Sequence, residues 1–159
     1  MKFQTEDTYR DWLLRGLRLR LGSHAVVLDS KNVSDVVICI DTPNGPRALF
    51  LEVKYAKESA GRIGIGDAVG SGFQPEILIK RPTYFEVYTR WLIASDDGWA
   101  VLVDNTTVRN HAAGGAVATG KQNNIRDSVF QDHRCFRIDD SVEEVAAWVE
   151  STARGLTPP

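Results

Sequence analysis

Two apolar runs joined by a tight turn constrain this chain more than any other feature. Asp35-Val36-Val37-Ile38-Cys39-Ile40-Asp41 is β-branched and nearly all apolar, the composition of a buried central strand. Thr42-Pro43-Asn44-Gly45-Pro46 follows, and proline, asparagine and glycine each favour chain reversal. Arg47-Ala48-Leu49-Phe50-Leu51-Glu52-Val53-Lys54-Tyr55 reads as the next strand, so the two predict a hairpin. If the turn joins Asp41 to Arg47, opposed residues carry numbers that sum to about 88. Asp35 then faces Val53, beside Glu52 and Lys54. Side chains alternate along a strand, so Glu52 and Lys54 share a face with Phe50, and Val53 points away. Two carboxylates and an ammonium therefore converge at one end of the sheet, while Asp41 sits at the opposite, turn end.

That cluster has a chemical reading. Mg²⁺ takes oxygen ligands, usually one or two carboxylates with waters and substrate phosphate oxygens. Asp35 and Glu52 are the candidate ligands, with the backbone carbonyl of Val53 as a third. A bound cation stabilises charge on a scissile phosphate and lowers the pKa of a bound water. Lys54 is the candidate for positioning that water or handling its proton. The competing structural reading is a salt bridge among Asp35, Glu52 and Lys54 on the surface.

An Asp-led strand followed by a strand closing on Glu-x-Lys resembles the PD-(D/E)xK nuclease superfamily, the restriction endonuclease-like group. Ser34 stands before Asp35 where proline is common, which leaves the chemistry untouched. The likeness spans roughly residues 5 to 104. It implies an α/β (α+β) fold with an αβββαβ core, a mixed central sheet flanked by helices. It implies a metal-dependent deoxyribonuclease with Asp35, Glu52 and Lys54 as catalytic residues. Mg²⁺ would be the cofactor, with Mn²⁺ as a substitute, and DNA the partner. A type II restriction-like endonuclease is the first expectation. A junction-resolving, repair or phage nuclease, or an inactive binding module, is the alternative. One metal site cuts one strand, so duplex cleavage implies a homodimer. Trp91, Trp99 or the last helix are candidates for its interface. Glu6 and Gln74 are candidate additional site residues by the same likeness; a favourable charge at a helix N-terminus explains Glu6 more simply, and a helix cap is an equal alternative for Gln74.

Nucleic-acid contacts are sought among basic and amide residues. Lys57 follows the Glu-x-Lys strand. Arg62 lies in Gly61-Arg62-Ile63-Gly64-Ile65-Gly66, where glycines permit close backbone approach. Lys121, Asn123 and Arg126 lie in a polar stretch whose amides and arginine suit base edges. An ordinary solvated loop is the simpler reading of each. The formal net charge of −2 opposes an overall basic footprint, so any affinity for phosphates must be local.

The rest of the chain supplies the frame. Tyr9, Leu13, Leu17 and Leu21 recur every fourth residue, predicting a helix from Thr5 to about Leu21 that ends at Gly22. His24–Leu28 is a short strand. Residues 56–72 carry five glycines and read as an irregular loop. A helical pattern spans Pro75 to about Ala94, split near Pro82. Trp99–Asp104 is a strand, residues 105–132 show little periodicity, and Cys135–Ile138 is a strand. Ser141-Val142-Glu143-Glu144 matches a capping box that opens a last helix. The 159 residues suit one domain over 1–155 with a frayed tail at 156–159. Cys39 and Cys135 lie in apolar stretches and read as buried reduced thiols. Gly115–Lys121 resembles a phosphate loop, but Gln122 stands where its hydroxyl residue belongs. His24, His111 and His133 are scattered and match no catalytic signature. The absence of an apolar leader or span predicts a cytoplasmic protein without membrane contact.

Overall fold

The computed structural model describes residues 1–30, 34–57, 61–65, 87–112 and 123–155. Helix α1 (Glu6–Leu21) forms where its four-residue spacing predicts. Thr5 caps it: Thr8 N donates to Thr5 Oγ1 at 3.2 Å, and Thr5 N donates to Thr8 Oγ1 at 3.0 Å. Gly22 stops it at φ 54°, a conformation that costs glycine little. Tyr9, Leu13, Leu14, Leu17 and Leu21 form its buried stripe.

Among the described residues eight strands follow: β1 (Ala25–Asp29), β2 (Val36–Thr42), β3 (Gly45–Ala56), β4 (Arg62–Ile65), β5 (Thr89–Ser95), β6 (Trp99–Asp104), β7 (Asn123–Arg126) and β8 (Cys135–Arg137). Helix α2 (Asn105–His111) lies between β6 and β7, and α3 (Ser141–Ala153) closes the described chain. The main sheet runs β1-β2-β3-β5-β6-β8, and β4 with β7 makes a separate two-stranded ribbon. β1, β2 and β3 are antiparallel neighbours, whereas β3 and β5 are parallel. The sheet is therefore mixed, with helices packed on it. Helix α1 followed by three antiparallel strands is the expected order, and the strand expected over Trp99–Asp104 forms as β6, but β5 lies between it and β3. Of the helical pattern expected from Pro75 to about Ala94, residues 75–86 lie outside the described residues.

Alternation along β3 sorts its side chains between two cores. Leu49, Leu51, Val53 and Tyr55 join α1 and α3 through Leu13, Leu17, Val145 and Val149. Ala56 joins the opposite core, with Ile63, Ile65, Trp91, Ile93, Val108, Ile125 and Phe130. Glu52 and Lys54 thus project from the face covered by α2 and the β4–β7 ribbon.

Several expectations are corrected. The hairpin turn is shorter, with Thr42 opposite Gly45 and only Pro43-Asn44 between them. Gly45 takes φ 96°, and Thr42 Oγ1 donates to its carbonyl at 2.7 Å. The register sum becomes 87, one less than expected, so Val36 pairs with Leu51. Thr89–Ser95 is a strand rather than the end of a helix, because Trp91–Ala94 are fully buried between the two cores. Arg62–Ile65 is a strand rather than part of a loop, since Ile63 and Ile65 alternate into a core. Asn105–His111 is helical, started by Asp104, whose Oδ1 accepts from Thr107 N at 2.8 Å. Ser141 does not cap α3. Its hydroxyl donates to Ile138 O and accepts from Tyr9 Oη, each at 2.7 Å. Cys39 is half-buried and Cys135 exposed, both free thiols. Trp91 is wholly buried, with Nε1 donating to Asn105 Oδ1 at 2.9 Å, so it offers no interface. Among the described residues no helix is long and apolar enough to cross a membrane.

Leu17 is fully buried between α1 and the sheet. Leu17→Ala should lower the unfolding free energy by about 2–5 kcal/mol, from lost apolar burial and the cavity left behind. Urea unfolding measures this, and a loss below about 1 kcal/mol would contradict the packing described.

Candidate active site

β2 stops pairing at Val36–Leu51, yet β3 continues beside β5 as far as Ala56–Ser95. The last residues of β3 therefore have an open edge on the β2 side. Backbone groups alternate in direction along a strand, so Val53 and Tyr55 turn their N–H and C=O towards that edge. Buried N–H groups need acceptors. Carboxylates supply both: Val53 N donates to Asp35 Oδ2 at 2.8 Å, and Tyr55 N donates to Glu6 Oε2 at 3.2 Å. Asp35 reaches Val53 because it lies one residue before β2. Glu6 reaches Tyr55 from the first turn of α1.

The lysine joins the same group. Lys54 Nζ donates to Glu6 Oε1 at 3.4 Å. Burial by itself lowers the Lys54 pKa, but Glu6, then Glu52, then Asp35 raise it, and the result lies above the ordinary lysine value. Asp35, Glu52, Lys54 and Glu6 thus act electrostatically as one cluster. Glu52 is only 2% exposed, the most deeply placed of its carboxylates. Arg10 flanks the group, with Nη1 3.9 Å from Asp35 Oδ1.

The donors suit a hard divalent cation: carboxylate oxygens with the Val53 carbonyl on the open edge. Among the described residues no three His, Cys, Asp or Glu side chains form a metal cage by themselves. A Mg²⁺ site needs no such cage, because waters and phosphate complete its shell.

Asp35, Glu52, Val53 and Lys54 come together as the sequence suggests. Glu6 lies beside them through Lys54 Nζ and Tyr55 N, while also keeping its place in the first turn of α1. Gln74 and Lys121 lie outside the described residues, as do residues 115–120. Lys57 is exposed just beyond β3. Arg62 and Arg126 are exposed and directly opposed across the β4–β7 ribbon, with Asn123 opposite Ile65. Arg10 was not singled out for the site, although it lies four residues after Glu6 and so on one helix face. The histidines are less scattered than their spacing suggests: His111 Nε2 and His133 Nε2 are 2.9 Å apart. Burial and then His133 lower the His111 pKa, against an opposing pull from Asp132.

No protein family profile matches the chain, and no curated protein matches it. Among solved structures, that of Hjc from Archaeoglobus fulgidus, a Holliday junction resolvase, is similar over 84% of this chain and 94% of that one. The TM-score is 0.44 and the sequence identity 17%.

The raised Lys54 pKa fixes a sign. The stabilisation it reports is fully present below the ordinary lysine value of 10.5 and is lost as pH rises through the higher folded value. Lys54 is therefore an ammonium at neutral pH. Glu6→Gln should lower the Lys54 pKa, since burial then meets less opposition. Nitrogen-detected NMR titration of the Lys54 side chain reads this directly, and an unchanged or higher value in the variant would refute the coupling.

Proposed function

We propose that the chain is a divalent-metal-dependent nuclease that hydrolyses DNA phosphodiester bonds. The observation that carries this reading is the gathering of Asp35, Glu52 and Lys54 at the open edge of β3, where Asp35 already caps Val53 N. A surface salt bridge at a sheet end would leave these groups in solvent. Here Glu52 is almost completely buried, and the Lys54 side chain is 12% exposed. Burying such charges is costly, and selection for stability alone disfavours it.

Asp35, Glu52 and the Val53 carbonyl would hold the ion, with Mg²⁺ the first candidate and Mn²⁺ a substitute. When bound, the ion supplies charge stabilisation at the phosphate and acidifies a water. Lys54, kept cationic by its three acids, orients the attacking water by donating to it. It also offsets charge that develops on the phosphate. Its raised pKa makes it a poor general base at neutral pH, which narrows its role to positioning and electrostatics. Glu6 holds Lys54 and the Tyr55 N–H in place from α1.

The β4–β7 ribbon is the proposed DNA contact. Arg62 and Arg126 are direct cross-strand partners, and like charges so placed repel unless an anion lies between them. A phosphate backbone is that anion, and Lys57 extends the basic surface. The biological setting we favour is a restriction-type endonuclease acting as a homodimer.

Purified protein with Mg²⁺ should cut at least one of plasmid, single-stranded DNA or a four-way junction, and which one separates restriction-type from junction-resolving roles. Asp35→Ala, Glu52→Gln and Lys54→Ala should each reduce the rate by roughly 10²–10³-fold. If no substrate is cut, or if Asp35→Ala cuts as well as the parent chain, the reading fails.

Removing Arg62 or Arg126 should weaken DNA binding across sequences and flatten the dependence of log affinity on log salt by about one unit each. Fluorescence anisotropy at several salt concentrations measures both effects, and an unchanged slope would place the DNA elsewhere.

A further inference from the structure

Asp35 uses its two oxygens differently. Oδ2 accepts from Val53 N at 2.8 Å, a bond that holds the carboxylate against the strand edge. Oδ1 is left for a cation, and it faces the guanidinium of Arg10 at 3.9 Å. Arg10 comes from α1, one turn beyond Glu6, and its side chain is 12% exposed. Its Nε is buried without a hydrogen-bond acceptor among the described residues. Its other arm, Nη2, lies 3.2 Å from Asp7 Oδ1 and 3.9 Å from Asp11 Oδ1. Both of those acids are well exposed on α1. The guanidinium therefore spans two acidic positions, one on the sheet and one on its own helix.

We propose that Arg10 is a built-in competitor cation: it neutralises Asp35 Oδ1 in the metal-free protein and yields that oxygen to the divalent ion, withdrawing onto Asp7 and Asp11. The inference rests on the metal-nuclease reading above. Two like charges cannot share one carboxylate oxygen cheaply, so the ion and Arg10 exclude each other there. Arg10 is a positioning residue in this scheme, acting through Asp35. It lowers the cost of holding a half-buried carboxylate when the metal is absent. In exchange it weakens the site for the ion. Asp7 and Asp11 reduce that penalty, because they already hold the guanidinium and need no rearrangement of the helix.

The test is equilibrium Mn²⁺ binding, followed by calorimetry at fixed salt and without DNA, so that it does not depend on cleavage. Arg10→Gln should bind Mn²⁺ roughly three- to tenfold more tightly than the parent chain, and Arg10→Lys, which keeps the charge, should stay within about twofold of it. Thermal melting verifies that the variants are folded. A second variant works independently of how well Arg10→Gln folds. Asp7→Asn with Asp11→Asn removes the alternative resting place from exposed positions, and should weaken Mn²⁺ binding by about threefold while Arg10 is present. In the Arg10→Gln background the same pair should change affinity far less. If Asp35-dependent Mn²⁺ binding is unaffected by Arg10→Gln, the Arg10 proposal is overturned alone. Equal weakening by the Asp7 and Asp11 changes in both backgrounds also overturns it. If Asp35→Asn binds Mn²⁺ as the parent chain does, the metal-site reading falls, and the Arg10 proposal with it.

Discussion

The site depends on an unequal hairpin. β3 outlasts β2 by five residues, from Glu52 to Ala56, and so presents unpaired backbone groups to the side where β2 has ended. An open strand edge of this kind must be covered or capped. This chain caps it with carboxylates, Asp35 on Val53 N and Glu6 on Tyr55 N. Each cap replaces a missing ladder bond with a charge-assisted one, which is the stronger kind. The structural need for acceptors at the edge thus brings two acids together at the place where Lys54 and Glu52 emerge. Backbone accounting and the chemistry of the site have the same cause.

Helix α1 must be held accurately for this to work, since it delivers both Glu6 and Arg10. Its anchor is Tyr9, fully buried one turn beyond Glu6 and adjacent to Arg10. Tyr9 Oη donates to Ser141 Oγ, which in turn donates to Ile138 O, so α1 is tied to the start of α3. Burial raises the Tyr9 pKa, and the phenol stays neutral as this donor. Phe3, Trp12 and Tyr55 pack around the Tyr9 ring, with centroids 5.0, 6.0 and 5.6 Å away. Phe3 N also donates to Tyr55 Oη at 3.0 Å. Tyr55 therefore serves the site twice: its backbone N–H binds Glu6, and its ring helps seat the helix that carries Glu6. On the other face, Trp91 bonded to Asn105 ties α2 to β5, and α2 helps cover the side from which Glu52 and Lys54 project.

What could be read from the sequence follows from the range of each signal. The hairpin, its polarity and the pairing of Asp35 with the Glu52–Lys54 end are local, and they were readable within one residue of register. The single slip came from the turn: Pro43-Asn44 closes it with two residues, and the tighter loop shifts every pair by one. Thr89–Ser95 carries a helical signal because Tyr88 and Leu92 keep helical spacing. What decides it is burial on both faces beside β3 and β6, which no local window contains. Arg62–Ile65 was hidden by its glycines, and its partner β7 lies some sixty residues away. Glu6 and Arg10 became part of the site through the docking of α1, a tertiary event whose only trace in the sequence is their four-residue spacing. The approach of His111 to His133 leaves no local trace.

The same geometry reconciles a slightly acidic chain with the polyanionic substrate proposed for it. Net charge describes the distant field, whereas the proposed chemistry depends on the field at the edge of β3. There three carboxylates, Glu6, Asp35 and Glu52, surround Lys54, and Arg10 flanks them with its other arm held by Asp7 and Asp11, so acids outnumber bases. Such a place attracts a cation and repels a phosphate. On the reading proposed above a divalent ion offsets that excess, beside a ribbon that carries Arg62 and Arg126. On that reading affinity for a phosphate backbone is conditional on the metal, and a slightly negative total charge does not oppose it.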